Sequence, residues 1–308
     1  MIAGAVAVTP RSFRAVEGQH LRRLADEGIE VRFPEVERPL DEGEMVELVR
    51  GCWGLIVGVD PVTPRVLDTG PLRTVVKYGS GTDNIDLAAA ARRGVRVVAT
   101  PGANARSVAE LTIGLVLALA RHVVAHDRSV RRGSWERRTG IELAGRRLGI
   151  VGYGAVGREV GAIARALGMT VIVHDPYVEE TDVALVDLDK LLEQADVVSL
   201  HVPLTEETRH LIGPRQLARM RRGALLLNTC RGAVVDEDAL AAALRDGQLG
   251  GAAVDTFEHE PPGDSPLLEI DTFVASPHVG AATVDAVRRT GLAAVRELLA
   301  SAPAEGEA

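Results

Sequence analysis

The stretch Leu148-Gly-Ile-Val-Gly-Tyr-Gly-Ala-Val-Gly157 constrains the fold more than any other part of the chain. A short apolar run entering a G-x-G-x-x-G turn reads as strand, glycine turn and helix, and a second β-branched run, Thr170 to His174, follows and ends on Asp175. Gly152 permits the tight turn, Gly154 lets backbone approach a pyrophosphate, and Gly157 lets the helix pack on the strand. The helix expected from Ala155 to Leu167 turns its free N–H groups and its dipole toward that anion, with Ala155 and Val156 in its first turn. Asp175 is placed to accept from a ribose 2′-hydroxyl, and its charge repels a 2′-phosphate. The motif therefore reads as a site for NAD rather than NADP.

With 308 residues, 46% of them apolar, the chain can bury a substantial core and suggests about two domains. A net charge of −8 with scattered basic residues is not the footprint of a nucleic-acid binder. The arginine-rich stretch Arg131 to Arg138 reads as a solvated loop or a subunit contact. Cys52 and Cys230 lie far apart without metal-ligand spacing, so no metal site is expected, and the cysteine usage suits a reducing, cytoplasmic compartment. The N-terminus lacks a basic region and reaches Pro10 too early for a signal peptide. The longest apolar run, Leu111 to Ala120, is too short for the roughly 20 residues that a bilayer requires. It reads as a buried helix, and no membrane partner is expected.

The expected fold class is α/β, with a doubly wound parallel-sheet NAD-binding domain over residues 100–283 and a smaller flavodoxin-like α/β substrate domain over residues 1–99. Six strands are expected in the larger domain: Leu148–Gly152, Thr170–His174, Val197–His201, Ala224–Asn228, Gly251–Asp255 and Thr272–Ser276. Their apolar residues are continuous rather than alternating, as suits strands covered on both faces. The smaller domain carries candidate strands at Ala3–Val8, Ile29–Arg32, Leu55–Val57, Thr74–Lys77 and Val95–Ala99. Ser107 and Glu110 read as a capping box that starts the apolar helix. Asp187 and Asp236 open two further helices, and Gly247 and Gly250 close the second. A helix over Val284 to Leu299, within 284–308, returns to complete the first domain, and Ser301 to Ala308 forms a polar tail.

Groups at the carboxyl ends of strands in such a sheet converge on one crevice. Arg231, Glu260 and His278 follow the fourth, fifth and sixth expected strands. Together they suit redox chemistry on a hydroxy acid. Arginine grips a carboxylate and polarises the adjoining carbonyl, histidine moves a proton near neutral pH, and glutamate orients the imidazole. Glu258 competes with Glu260 for the last role and His259 with His278 for the acid, and the Glu-Pro pattern favours Glu260. Cys230 reads as a small residue beside the cofactor.

The chain resembles the D-isomer-specific 2-hydroxyacid dehydrogenases over nearly its full length. The resemblance is carried by Gly79-Ser-Gly-Thr-Asp-Asn-Ile-Asp, Gly152-Tyr-Gly-Ala-Val-Gly, His201-Val-Pro-Leu-Thr, Asn228-Thr-Cys-Arg-Gly, Val235-Asp-Glu-Asp-Ala-Leu, Gly251-Ala-Ala-Val-Asp-Thr-Phe and Ser276-Pro-His-Val-Gly. It implies catalytic roles for Arg231, Glu260 and His278, and cofactor contacts at Ala155, Val156, Asp175, Val202, Thr208, Cys230, Asp255 and Gly280. It also implies that the N–H groups of Ser80 and Gly81 bind the substrate carboxylate. The nearest branch resembles phosphoglycerate dehydrogenases and glyoxylate or hydroxypyruvate reductases. Phosphoglycerate enzymes commonly place a cation where this chain has Gly58-Val-Asp-Pro; Asp60 disfavours a phosphate there, whereas Lys77 offers one positive charge near the glycine loop. The sequence ends soon after the return helix, so the appended regulatory domain of some relatives is not expected. Trp135, in Gly-Ser-Trp, reads by propensity as a loop anchor or dimer contact; the resemblance implies a homodimer joined through the nucleotide domain and a tryptophan in this region that reaches the neighbouring subunit's site. Competing readings on the same fold are an NAD(H)-sensing corepressor and a phosphite dehydrogenase.

Overall fold

A computed structural model describes residues 4–302; Ala3 of the first expected strand and residues 303–308 of the expected tail lie outside the described residues. The chain forms two compact units, one running up to Asn104 and resuming at Ala282, the other spanning Ala105–Ala281. The junctions thus fall a few residues from those expected at Ala99 and Val284.

In the first unit the chain runs β1 (Ala5–Val8), α1 (Arg11–Ala15), α2 (Gln19–Asp26), β2 (Glu30–Arg32), α3 (Glu42–Val49), β3 (Cys52–Val57), α4 (Pro64–Asp68), β4 (Thr74–Lys77), α5 (Leu87–Arg92) and β5 (Arg96–Ala99). All five strands are parallel, in the order β2-β1-β3-β4-β5, the flavodoxin arrangement. Both faces of the sheet are covered. Ala5 and Ala7 pack into one apolar layer with Met45, Leu55 and Val75, while Val6 and Val8 join Phe13, Ile56, Val76 and Val295 in the other. The C-terminal helix, Val284–Leu299, lies in this second layer through Ala294, Val295 and Leu298. Its first turn is capped by Thr283, whose hydroxyl accepts from Ala286 N–H at 3.1 Å.

The second unit runs α6 (Ala105–Ala120), α7 (Val123–Arg131), β6 (Arg147–Val151), α8 (Ala155–Ala166), β7 (Thr170–His174), β8 (Ala184–Leu185), α9 (Leu188–Gln194), β9 (Val197–Leu200), α10 (Pro214–Arg219), β10 (Ala224–Asn228), α11 (Glu237–Arg245), β11 (Leu249–Val254) and β12 (Phe273–Ala275). Its parallel sheet has the order β12-β11-β10-β9-β6-β7-β8. The chain therefore reverses direction between β6 and β9, and a doubly wound sheet opens its ligand crevice at such a point. Leu225 and Leu227 of β10 face one apolar layer and Leu226 the other.

Four expectations need correction. The sheet has a seventh strand, β8, whose two exposed residues at the sheet edge leave no apolar run to read. Helix α6 begins at Ala105, so Ser107 and Glu110 lie inside it rather than at its cap, and Glu110 pairs with Arg106 at 2.7 Å. Gly250 belongs to β11, where a Cβ would approach Gly223 O to 2.5 Å, so it serves close backbone packing and not a helix end. Arg131 ends α7 rather than opening a loop, and residues 132–137 beyond it are exposed without regular structure. No single helix among the described residues is long and apolar enough to cross a membrane.

Candidate active site

The glycine turn after β6 is built as a phosphate cradle. Gly152 has φ +90°, and a Cβ there would lie 2.5 Å from His201 O; a Cβ on Gly157 would lie 2.2 Å from Gly152 O. Neither position tolerates a side chain. Gly154 caps α8 without any side-chain bond to its N-terminal N–H groups, and a Cβ there would meet open space. Ala155 is exposed and Val156 half-buried in the same first turn. At the end of β7 the Asp175 carboxylate accepts from Tyr153 N–H at 2.7 Å and Tyr177 N–H at 2.9 Å. Each oxygen keeps lone-pair capacity for a ribose hydroxyl. Open glycine backbone, uncapped helix donors and a held acid suit a dinucleotide.

Beyond β9, burial drops the His201 imidazole to about 3, so the ring is neutral, and its Nε2 lies 2.8 Å from Ser199 Oγ. Val202 is half-buried beside it. Thr208 closes the following turn, donating to Pro203 O at 2.6 Å and accepting from Thr205 N–H at 2.8 Å.

Arg231, Glu260 and His278 all lie in this unit; Glu260 and His278 are in direct contact, and the charge of Arg231 reaches the Glu260 carboxylate. Glu260 Oε2 is 2.8 Å from His278 Nδ1, and Glu260 Oε1 accepts from Phe257 N–H at 3.1 Å. An ionised carboxylate can only accept, so Nδ1 carries the proton and Nε2 is the ring nitrogen outside this pair. Burial pushes the Glu260 carboxyl up, but the hydrogen bond and charge of His278, the Phe257 N–H and the charge of Arg231 together hold it below the usual glutamate range. Arg231 donates to Cys230 O at 2.8 Å, and Asn228 clamps its turn by donating to Arg231 O at 2.8 Å. The Cys230 thiol donates to Asn228 Oδ1 at 3.1 Å, and burial pushes its pKa up, so it stays protonated.

Two features that hold this cluster were not read from the sequence. Gly232 lets the Arg231 turn touch the Glu260 loop, since a Cβ there would fall 1.9 Å from the Phe257 carbonyl carbon. Asp255, 1% exposed, ties down the His278 turn. Its Oδ1 accepts from Ser276 Oγ at 2.6 Å and Val279 N–H at 2.9 Å, and its Oδ2 from Gly280 N–H at 2.7 Å. His278 itself sits at φ +52°, its N–H donating to Asp255 O at 2.8 Å. Glu258 is drawn away from the histidine: it pairs with Arg209 and His210, each at 3.3 Å, and His259 is exposed.

In the first unit, Ser80 is exposed and Gly81 half-buried in the turn after β4, which Gly79 opens at φ +135° with its N–H donating to Thr100 Oγ1 at 2.8 Å. Two expectations about charge here are overturned. Lys77 is 5% exposed, and its ammonium donates to Gly58 O and to Asn84 Oδ1 at 2.6 Å. It holds the loop after β3 in place instead of offering a charge to a ligand. Asp60 is 1% exposed and accepts from Leu40 N–H at 2.8 Å and from the Thr9 hydroxyl, so it is a structural anchor and not a free negative charge facing a substrate.

Residues 113–280 match the sequence family described as D-isomer specific 2-hydroxyacid dehydrogenase, NAD binding domain. The chain is 42% identical over 268 residues to hydroxypyruvate reductase of Thermotoga maritima, covering 84% of this chain and 88% of that protein. It is also 42% identical over 272 residues to D-3-phosphoglycerate dehydrogenase of Methanocaldococcus jannaschii, covering 85% of this chain but 52% of that longer protein. Among solved structures, the TT0316 protein of Thermus thermophilus superposes with a TM-score of 0.88 at 39% identity, covering 96% of each chain.

Proposed function

The chain belongs to the D-isomer specific 2-hydroxyacid dehydrogenase family and is an NAD-dependent oxidoreductase of hydroxy and keto acids, and from that premise we propose that it interconverts a small 2-keto acid and its D-2-hydroxy acid with His278 as the acid and base. The observation that carries this reading is the 2.8 Å pairing of His278 with Glu260, with Arg231 close enough for its charge to act on the same carboxylate.

In reduction, Arg231 holds the substrate carboxylate and polarises the keto oxygen, and its stabilisation grows as negative charge develops there. NADH, when bound on the 152–157 turn with Asp175 at its ribose, supplies the hydride chemistry at carbon 2. His278 Nε2 delivers the proton to the developing alkoxide, and in oxidation takes it back. Glu260 stabilises the imidazolium and sets which nitrogen faces the substrate. Ser80 and Gly81 N–H groups bind the substrate carboxylate, and their exposed turn after β4 supports that role. Val202, Thr208, Cys230, Asp255 and Gly280 line the cofactor, and Asp255 also fixes the 276–280 turn through its bonds to Ser276, Val279 and Gly280.

The test is NADH consumption followed at 340 nm with a panel that includes glyoxylate and hydroxypyruvate. At least one keto acid turns over steadily, and His278→Ala lowers that turnover by at least about a hundredfold while NADH affinity stays nearly unchanged. NADH binding without turnover of any keto acid would point to a sensor instead. Normal turnover in the variant removes His278 from its role. The active form is a cytoplasmic homodimer; Leu117, Val123, Val130 and Trp135, 40%, 54%, 56% and 75% exposed, support an interface along α6, α7 and the segment after them.

A further inference from the structure

Buried polar side-chain atoms without a hydrogen-bond partner among the described residues are His20 Nδ1, Trp53 Nε1, Thr256 Oγ1 and the Nε and Nη2 of Arg11. The first three are on neutral groups or one that can be neutral: His20 already uses Nε2 on Phe13 O at 2.9 Å, which leaves Nδ1 as a bare acceptor. Arg11 differs in kind. A guanidinium stays charged at any working pH, and two of its nitrogens are sealed from water with nothing to donate to. The partner that fits a guanidinium fork is an oxyanion.

The position of Arg11 says where that oxyanion comes from. Arg11 is the first residue of α1, two residues past Thr9 at the exit of β1. Pro10 lies against the exit of β3, since a Cβ on Gly58 would be 3.6 Å from Pro10 Cγ, and the Thr9 hydroxyl accepts from Gly58 N–H at 3.1 Å. On the other side Ser12 lies beside Tyr78, the residue before Gly79-Ser80-Gly81 at the exit of β4. Strands β1, β3 and β4 are neighbours, so Arg11 stands on the carboxyl edge of its sheet, the edge at which parallel α/β sheets take ligands. Two further charges near that edge, Lys77 and Asp60, are bonded within the fold.

We propose that Arg11 is a substrate-binding residue that recognises an anionic group, phosphate or second carboxylate, on the far end of the 2-keto acid. The inference rests on the keto-acid reading above and adds the class of substrate. The test compares 3-phosphohydroxypyruvate and oxaloacetate, which carry such a tail, with glyoxylate, which has none. In Arg11→Gln, kcat/KM for the preferred tailed substrate falls at least about tenfold, mainly through KM, while that for glyoxylate changes less than about twofold. The tail with the larger loss identifies phosphate or carboxylate as the native group. Arg11→Met raises the Tm of the ligand-free protein because it removes a stranded charge; a lower Tm assigns Arg11 to the architecture and overturns the proposal. Equal loss on glyoxylate, or no loss on either tailed acid, also overturns it. If the wild type reduces no keto acid, the functional reading fails by itself, and binding decides this one: inorganic phosphate or malonate raises the Tm of the wild type but not of Arg11→Gln, and equal shifts refute it.

Discussion

The role proposed for His278 depends on what holds the ring. One carboxylate, Glu260, takes its Nδ1 proton, and a second, Asp255, fixes the backbone that carries it in a left-handed conformation uncommon for a residue with a side chain. The Glu260 arrangement has a pH signature. Its pKa is held below the ordinary glutamate value in the folded protein, so its ionisation favours folding above that ordinary value and the contribution is lost as pH falls through the depressed one. Glu260→Gln therefore has a lower Tm than the wild type near pH 7, and the gap narrows below about pH 4. A gap that widens in acid would contradict the sign. The effect is modest because the Glu260 side chain is 36% exposed and solvent screens the pair. Which of Glu258 and Glu260 serves the histidine was open in the sequence beyond the Glu-Pro pattern. What separates them is Arg209 and His210, distant in the chain, which engage Glu258.

At the scale of elements, long apolar runs were the legible part. Strands β4, β7 and β10 and the C-terminal helix fall on the residues expected, because a strand buried on both faces needs an unbroken apolar run and a surface helix needs an apolar stripe. Elements lacking such a signature went unread: β8 has two exposed residues, and α7 buries Ser129 alone. The Ser107–Glu110 spacing misled because a capping box is a local pattern, and such a pattern also occurs within the first turn of a helix that starts earlier. Glycines are where element geometry reaches the site. Gly232→Ala forces a Cβ into the Phe257 carbonyl, where backbone cannot yield cheaply, and is expected to lower kcat by more than about tenfold together with Tm. Unchanged kinetics would show that the Arg231 turn and the Glu260 loop need no such contact. Asp175→Ala is expected to relax the NAD preference, measured as the ratio of kcat/KM with NADH and NADPH. An unchanged ratio would remove Asp175 from the ribose.

For the molecule as a whole, the exposed apolar residues between Leu117 and Trp135 set the expectation for assembly. Sedimentation at micromolar concentration should give a dimer, and Trp135→Glu combined with Val130→Glu should shift it toward monomer, since burying two new carboxylates in an apolar interface is costly. A dimer that ignores both changes places its interface elsewhere. Sequence by itself determined the two parallel α/β units, the dinucleotide turn with its acid, and the family, because each is written in contiguous residues: apolar runs set strands, and glycine spacing sets a turn. Only the tertiary structure decided which charges are available to a ligand. Lys77 and Asp60 read as free charges and are bonded inside the fold, whereas Arg11 read as one scattered arginine and, among the described residues, has two buried donor nitrogens with no hydrogen-bond partner. The physical reason is that the effective charge of a side chain depends on desolvation and on partners brought from remote positions, and neither is encoded within a few residues of it.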